Sequence, residues 1–384
     1  MSWQEIYLGN AIHMKHGFAF KSQWFAPSGK HIVLTPGNFK EAGGFKERPG
    51  KDRYYSTDAP EEFILKKGDV IVAMTEQTPG LLGSSALIPE DNLYLHNQRL
   101  GLVDKIDGKI ITKNYLYTLF NTRDVRAQIS GSASGVKVRH TSPERIYRVK
   151  VKIPNVTIQE KISSTIFAYD DLSENNRRRI QLLEESARQL YKEWFVRLRF
   201  PGHEHVKVVD GVPEGWEEMP LGDVLLLQRG FDLPAQQRSD GNFPVCASTG
   251  VCGKHNEYRA IGPGVVTGRS GSLGTVLMVA ENFWPLNTTL WIKEYKKTTP
   301  FHARYLLESL ALSRFNGGAA VPTLNRNDVH AQKILLPPES LIKNFTDIAQ
   351  TAFNQHTVLE KQNHKLAQAR DLLLPKLMSG EVAV

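Results

Sequence analysis

Trp3-Gln-Glu5-Ile-Tyr-Leu8-Gly9 stands near the start of the chain, and Trp216-Glu-Glu218-Met-Pro-Leu221-Gly222 repeats its residue types at the same spacing 213 residues later. The offset still holds where Gly17-Phe18 meets Gly230-Phe231. A second echo closes each copy: Lys150-Val-Lys-Ile153-Pro154 corresponds to Lys333-Ile-Leu-Leu336-Pro337, and a long helical pattern follows each. Solenoid periods run at about 20–50 residues, so a duplication of about half the chain signals two like modules instead. Two like modules suit a target with two parts.

Between the echoes the chain reads as short strands and turns. Phe63-Ile-Leu-Lys-Lys-Gly68-Asp69-Val70-Ile71-Val72 predicts strand, Gly-Asp turn, strand, and turn signals recur at Pro36-Gly37, Gly43-Gly44, Pro49-Gly50 and Pro79-Gly80. Residues 113–129 read as helix. The second copy keeps the order: Ile261-Gly-Pro-Gly264-Val-Val-Thr-Gly stands for Gly68-Asp-Val-Ile-Val, Asn287-Thr-Thr-Leu for Asn97-Gln-Arg-Leu, and the helical run at Arg304 for that at Tyr115. Across the module the offset shrinks from 213 to 183, so the second head is shorter by 30 residues. Loops absorb such length changes cheaply and carry recognition.

The segments after Pro154 and Pro337 differ in kind. In the first, Ile162, Ile166, Tyr169, Ile180, Leu183, Ala187, Leu190 and Trp194 fall on a 4-3-4-3 spacing, with Ser173 and Asn176 at the two intervening positions. That is a coiled-coil seam with a polar interruption. The second repeats it with Ile348, Ala352, Leu359, Leu366, Ala369 and Leu373, broken by Gln355 and Gln362. Two amphipathic helices, each packed on its own head, would be the plainer reading; heptads sustained over about 40 residues, or about 60 Å, favour another helix as partner. Helix one leaves head one and arrives at head two, so helix two must run back along it. The expected fold is α+β: two mixed α/β domains separated by a long antiparallel two-helix coiled coil, with an internal pseudo-two-fold repeat. The boundaries read as 1–153 for head one, 154–199 for its helix, 200–215 for a linker, 216–337 for head two, and 338–384 for the second helix and tail.

Composition excludes several classes. Apolar residues at 41% and charged residues at 23% are ordinary for soluble protein. The net charge of +8 favours an anionic partner. Cys246 and Cys252 make no disulfide framework, which points to a reducing cytoplasm. The start Met1-Ser-Trp-Gln-Glu carries no signal-peptide pattern, and no apolar run approaches the roughly 20 residues that span a bilayer.

The order head, helix, head, helix resembles the specificity (S) subunit of type I restriction-modification enzymes. The openings Trp-x-Glu-x-x-Leu-Gly, the Ile-Pro or Leu-Pro leading into each helix, and the ending Leu372-Leu-Leu-Pro-Lys376-Leu377-Met-Ser379-Gly380-Glu381-Val382 carry the likeness over essentially the whole chain. The resemblance implies two target-recognition domains, each reading half of a split double-stranded DNA sequence. It implies spacer helices that dock two methyltransferase subunits, which a translocating nuclease (restriction) subunit can join. It implies no catalytic residue, metal or cofactor in this chain, with S-adenosylmethionine, ATP and Mg²⁺ used only by partner subunits. Helix one departs from the pattern, ending Leu190-Tyr-Lys-Glu-Trp194-Phe195-Val without Ser-Gly-Glu.

Major-groove readout needs forked donors and amides, and phosphate clamping needs cations, hydroxyls and free backbone N–H groups. Two loops per head combine these. The first follows the Gly-turn strand: Thr75-Glu76-Gln77-Thr78-Pro-Gly80 in head one and Thr267-Gly268-Arg269-Ser270-Gly271-Ser272 in head two. The second is Gly131-Ser-Ala-Ser-Gly135-Val-Lys137-Val-Arg139-His140-Thr141 in head one. In head two it is Gly317-Gly-Ala-Ala-Val-Pro-Thr323-Leu-Asn325-Arg326-Asn327. Each could be a plain solvated turn; their matched placement in both heads raises them above that. The candidates are Gln77, Thr78, Lys137, Arg139, His140, Arg269, Ser270, Thr323, Asn325 and Arg326, with Lys21 and Arg229 at the Gly-Phe positions as a weaker third site.

Other chemistry is thinner. Glu281 followed by Glu294-Tyr-Lys296 offers the residue types of a Mg²⁺-dependent nuclease, but Glu replaces the usual first Asp and Lys296-Lys297-Thr-Thr-Pro reads more simply as a charged strand end. Cys246, Cys252 and His255 lack paired C-x2-C geometry. No Asn-Pro-Pro-Tyr or Asp-Pro-Pro-Tyr run for base methylation and no Gly-x-x-x-x-Gly-Lys phosphate loop occurs. The competing readings are thus that nuclease and a protein-binding coiled-coil adaptor.

Overall fold

The computed structural model describes residues 3–77, 79–317 and 322–384. The chain divides into two compact units whose boundary cuts both long helices. One holds the residues up to Glu174 together with Asn363–Val384; the other holds Asn175–Gln362. Each unit therefore combines one head, the first part of the helix that leaves it, and the last part of the helix that leaves the other head.

The heads share a topology. In the first unit the strands Ile12–His16, Leu100–Ile106, Val70–Ala73 and Ser85–Leu87 lie in that order in one antiparallel sheet. In the second, Leu225–Arg229, Thr289–Tyr295, Gly264–Gly268 and Val276–Val279 do the same. Both sheets even carry a bulge at one place, where Asp104 and Lys293 fall out of register. A smaller sheet follows in each, built on the parallel pairs Ile32–Tyr94 and Val245–Trp284. It has four strands in head one and three in head two.

The opening motif now has a physical account. Gln4–Tyr7 pairs with Lys150–Ile153, and Glu217–Pro220 with Lys333–Leu336. The first and last strands of each head thus close on one another, and the Glu of the motif marks the register through Glu5–Lys150 at 2.7 Å and Glu218–Lys333 at 3.5 Å. Such exposed pairs add little stability. Leu8 and Leu221 are fully buried. The glycine that follows leaves room for a short helix: a Cβ on Gly9 would lie 2.7 Å from Tyr147 Cβ, and one on Gly222 3.2 Å from His330 Cβ. Gly17 and Gly230 face a harder limit, since a Cβ there would sit 2.1 Å from the Asn97 carbonyl oxygen and 2.3 Å from that of Leu286.

Two local expectations need correction. The helix at 113–129 is two helices, Lys113–Phe120 and Arg123–Gly131. Asn121 breaks it, because its side chain accepts the Ser85 N–H at 3.0 Å and donates to Ser85 Oγ at 2.8 Å. Phe63–Lys67 is not a strand: Glu61–Phe63 forms a 3-10 turn, and Ile64 makes only an isolated bridge to Leu95.

The long helices are Val156–Tyr191, of 36 residues, and Glu339–Ser379, of 41. In the first unit Asp170 meets Arg370 at 2.6 Å, while Ile162 and Leu377 share a core. In the second, Glu184 meets His356 at 3.6 Å, and Tyr191 packs on Phe345 with ring centroids 5.7 Å apart. Partner numbers fall as helix-one numbers rise, so the pairing is antiparallel within each unit. Along helix one Ile166, Ser173, Asn176 and Ala187 are buried, with Ile180, Leu183 and Leu190 half-buried. Asn176 is 2% exposed. Helix two follows a seam displaced in part from the expected one. Leu359 is buried and Leu366 and Leu373 are half-buried, but Ile348, Gln355, Gln362 and Ala369 are exposed; Ala349, His356, Asn363 and Arg370 take those places. The physical reason is Phe345 and Ala349, both buried against head two's aromatic core, which set the helix phase one residue on.

The helix ends close on the tryptophans of the openings. A Cβ on Gly380, at φ +78°, would lie 2.7 Å from Trp3 Nε1. Helix one ends instead in a π turn, Lys192–Val196, and the Phe200 ring lies 5.4 Å from that of Trp216.

Candidate nucleic-acid interface

In each head the fold brings the two loops together. Thr75–Glu76 pairs antiparallel with Arg139–His140 in head one. In head two Ser270 bridges Thr323, also antiparallel. The match extends to one hydrogen bond: the Thr141 N–H donates to Met74 O at 2.9 Å, and the Leu324 N–H to Arg269 O at 2.8 Å. The second loop then folds over on itself, with Ser134 bridging His140 in head one and Asn316 bridging Leu324 in head two.

The candidate residues divide by what they touch. Gln77 and Lys137 are exposed, and neither side chain makes a hydrogen bond or ion pair among the described residues. Lys137 stands beside a fully exposed Val136, in a turn that needs glycine at Gly135, φ +98°. His140 is exposed, and its backbone exchanges two hydrogen bonds with Ser134. Arg139 is occupied inward: Nη1 lies 3.2 Å from Glu76 Oε1 and 2.9 Å from Ser130 Oγ, and Nη2 donates to Ser130 O. Thr78 lies outside the described residues.

In head two Arg269 is half-buried and donates through Nε to Asn287 O at 3.1 Å. Ser270 is half-buried beside it, its N–H on Thr288 O at 3.1 Å. The Thr323 N–H donates to Asn316 Oδ1 at 3.0 Å. Asn325 caps the short helix Arg326–His330, accepting the Asn327 N–H at 3.0 Å. Arg326 is exposed on the first turn, and its guanidinium has no partner among the described residues. Lys21 and Arg229 are exposed in the same way, near the Gly-Phe crossing of their heads. The candidate surface is thus mixed: exposed cations, Lys137 in the head-one turn and Arg326 on the helix that follows the head-two loop, and engaged groups that hold the loops.

Sequence reading missed the groups beneath. Glu76 is 4% exposed and binds backbone N–H groups of its own loop. Arg126 donates to Leu82 O and Glu41 O, both at 2.9 Å, and to Gly80 O. Arg145 braces the tip through Ser134 Oγ at 2.9 Å. A carboxylate or guanidinium in a polar stretch gives no sign of turning inward.

The other chemistry does not assemble. Lys296 donates to Gly222 O at 2.7 Å and Glu294 pairs in the sheet with Leu226, whereas Glu281 lies against Gly262. No cluster of three His, Cys, Asp or Glu residues suited to a metal occurs among the described residues. Cys246 is fully buried, its thiol pushed up to about 12 by burial, while Cys252 is exposed. No helix among the described residues is long and apolar enough to cross a membrane. A groove of about 1240 Å³ lies elsewhere in the first unit, among Trp3, Tyr117, Val125, Arg370 and Leu374.

Fold and loops together define a duplicated, two-headed protein. The family described as type I restriction modification DNA specificity domain matches residues 2–185 and again 213–367, so the chain belongs to that family. It is 26% identical over 353 residues to the type I restriction enzyme MjaIX specificity subunit of Methanocaldococcus jannaschii, covering 84% of this chain and 79% of that one. It is 22% identical over 409 residues to the HindI specificity subunit of Haemophilus influenzae, covering 83% and 87%. The crystal structure of a type I restriction-modification S subunit from M. genitalium superposes with a TM-score of 0.64 at 17% identity, over 98% of this chain and 96% of that one. The protein is accordingly a type I specificity subunit, a DNA-recognition component and not itself a catalyst.

Proposed function

We propose that head one (1–153) and head two (216–337) each read one half of a bipartite double-stranded DNA target, and that the helices at 154–199 and 338–384 set the distance between halves. The observation that carries this reading is the same two-loop pairing in both heads, Thr75 on His140 and Ser270 on Thr323, with exposed cations beside it, Lys137 in head one and Arg326 in head two. Exposed Lys and Arg on such tips supply phosphate contacts and forked base contacts. The loops differ in length and sequence, so the two half-sites differ as well.

Catalysis then falls to partners. Two methyltransferase subunits would dock on the helices and carry S-adenosylmethionine; a restriction subunit, where present, would bring ATP and Mg²⁺ chemistry; all would work in the cytoplasm. The helix surface supports docking. In the second unit head two packs on side chains one residue after a seam position: Arg188 on Glu308, Tyr191 on Tyr305, Phe353 on Phe301. Residues one before the seam face away, and there Leu182, Ile348 and Val358 are 67%, 48% and 53% exposed. Leu172 and Leu372 hold the like positions in the first unit. From Lys161 to Gln189 and from Asn344 to Lys376, no residue one before the seam is acidic. Such a flank suits a helix bringing apolar and acidic side chains.

The test is the methylated sequence. Seven residues added to helix one after Ser173 and seven to helix two after Asn363 keep the heptads in phase. Sequencing of methylated sites should then show a longer spacer between two unchanged half-sites. Altered half-site bases at an unchanged spacer would overturn the reading. Leu182→Glu with Val358→Glu should abolish methyltransferase binding and leave DNA binding intact.

A further inference from the structure

We propose that Glu76 is a positioning residue that sets the base preference of head one without contacting DNA; this rests on the two-half reading above. Its carboxylate is buried beneath the first loop. Oε2 accepts the N–H groups of Gly80, Leu81 and Leu82 at 3.0, 2.9 and 2.9 Å. Oε1 takes Arg139 Nη1 from the second loop at 3.2 Å. One side chain therefore ties both loops of head one to a single point.

Arg126 works on the same segment with opposite polarity. Where Glu76 accepts its N–H groups, Arg126 donates to the carbonyls of Gly80 and Leu82. The backbone there is gripped through donors and acceptors at once. Charge-assisted bonds of this kind are short and directional, and a buried carboxylate deprived of them is costly, so the conformation is strongly determined. A recognition loop held this way gives up its ordering entropy on folding rather than on binding DNA.

Among its described residues head two shows no such device. Gly271 stands at the position of Glu76, and its N–H donates to Pro322 O at 3.0 Å. The loop is also shorter: eight residues lie between Thr267 and Val276, against twelve between Val72 and Ser85. A longer loop has more conformations to choose among, and the carboxylate selects one. Arg139, engaged beneath the tip, belongs to this support and not to the reading face, which leaves Gln77, Lys137 and His140 to meet DNA.

The experiment uses the full chain with its methyltransferase partners and sequences the methylated sites, with Arg269→Ala in head two as the matched control. Glu76→Gln retains an acceptor for the loop but sets an amide N–H₂ against Arg139. It should lower discrimination at one or more head-one bases by at least fivefold while head-two bases and the melting temperature change little. Glu76→Ala should relax the same bases further. If Arg269→Ala alters one half-site and both Glu76 variants, folded and active, alter none, the assignment of Glu76 is wrong and the two-half reading stands. If no head-two or head-one substitution changes any base, the two-half reading itself falls.

Discussion

Tyr147 and His330 do one job in two heads. The Met14 N–H donates to Tyr147 Oη at 2.8 Å, and the Leu227 N–H donates to His330 Nε2 at 2.9 Å. Both N–H groups lie beside the shared sheet bulge, and both acceptors stand on the short helix packed over the glycine of the opening motif. Duplication kept the acceptor and exchanged the residue that provides it.

Removing the acceptor should expose that role. Tyr147→Phe leaves the Met14 N–H without its partner at a buried residue, at a cost of about 1–3 kcal/mol. Urea unfolding monitored in head one reads it, alongside hydrogen exchange at the Met14 amide. An unchanged midpoint with unchanged protection would show that the bond carries no weight.

Acid should destabilise the protein through buried histidines. Burial pulls His96 down to about 4 and His302 to about 3 from an ordinary 6.5. His330 is lowered too, by burial and then by Arg326 and Lys296. The unfolded chain protonates these rings near pH 6.5 and the folded chain does so only lower. Stability is therefore full above pH 6.5 and falls below it, by up to about 1.4 kcal/mol per pH unit for each of His96 and His302, with His330 acting in the same direction. Urea midpoints at pH 7.5, 6.0 and 5.0 should show that fall, and His302→Gln should flatten it. An equal slope in that variant would clear His302.

Asn176 sits in a helix seam at 2% exposure. A polar group there specifies helix pairing at a cost in stability. Asn176→Leu should raise the thermal midpoint by a few degrees and yield mixed species on size-exclusion chromatography. A higher midpoint with a single monomeric peak would deny it the specifying role.

Lys137→Ala and Arg326→Ala remove exposed cations that have no hydrogen-bond or ion-pair partner among the described residues. Each should weaken DNA binding uniformly across sequences and reduce the slope of log K against log salt by about 1 if the residue neutralises one phosphate. Loss of affinity for cognate duplex alone, with the salt slope kept, would instead make the residue a base reader.

The repeat was legible because its motif residues answer to backbone geometry. Gly17 and Gly230 admit no Cβ, and Leu8 and Leu221 fill fully buried sites, so both copies retain them. The seam of helix one was legible for a like reason, its apolar residues leaving a single phase. In helix two, Gln355 next to His356 and Gln362 next to Asn363 are both polar, and only the core around Phe345 decides between neighbours. The loops could be placed by correspondence, but the inward turn of Glu76 and Arg139 depends on which N–H groups the fold leaves unpaired, and that is settled only in three dimensions.

The boundary that cuts both long helices has a consequence in time. Leu377 is 1% exposed in the same core as Leu8, Ile111 and Ile162. A chain emerging from the ribosome makes nearly all of its first unit early, then waits through the whole of the second before the residues that complete that core appear. Contacts so distant in sequence form slowly and leave apolar surface open meanwhile. The half of the protein that is synthesised first cannot complete its core until Leu377 has emerged, so a ribosome stalled anywhere in the second head leaves the first one unsealed.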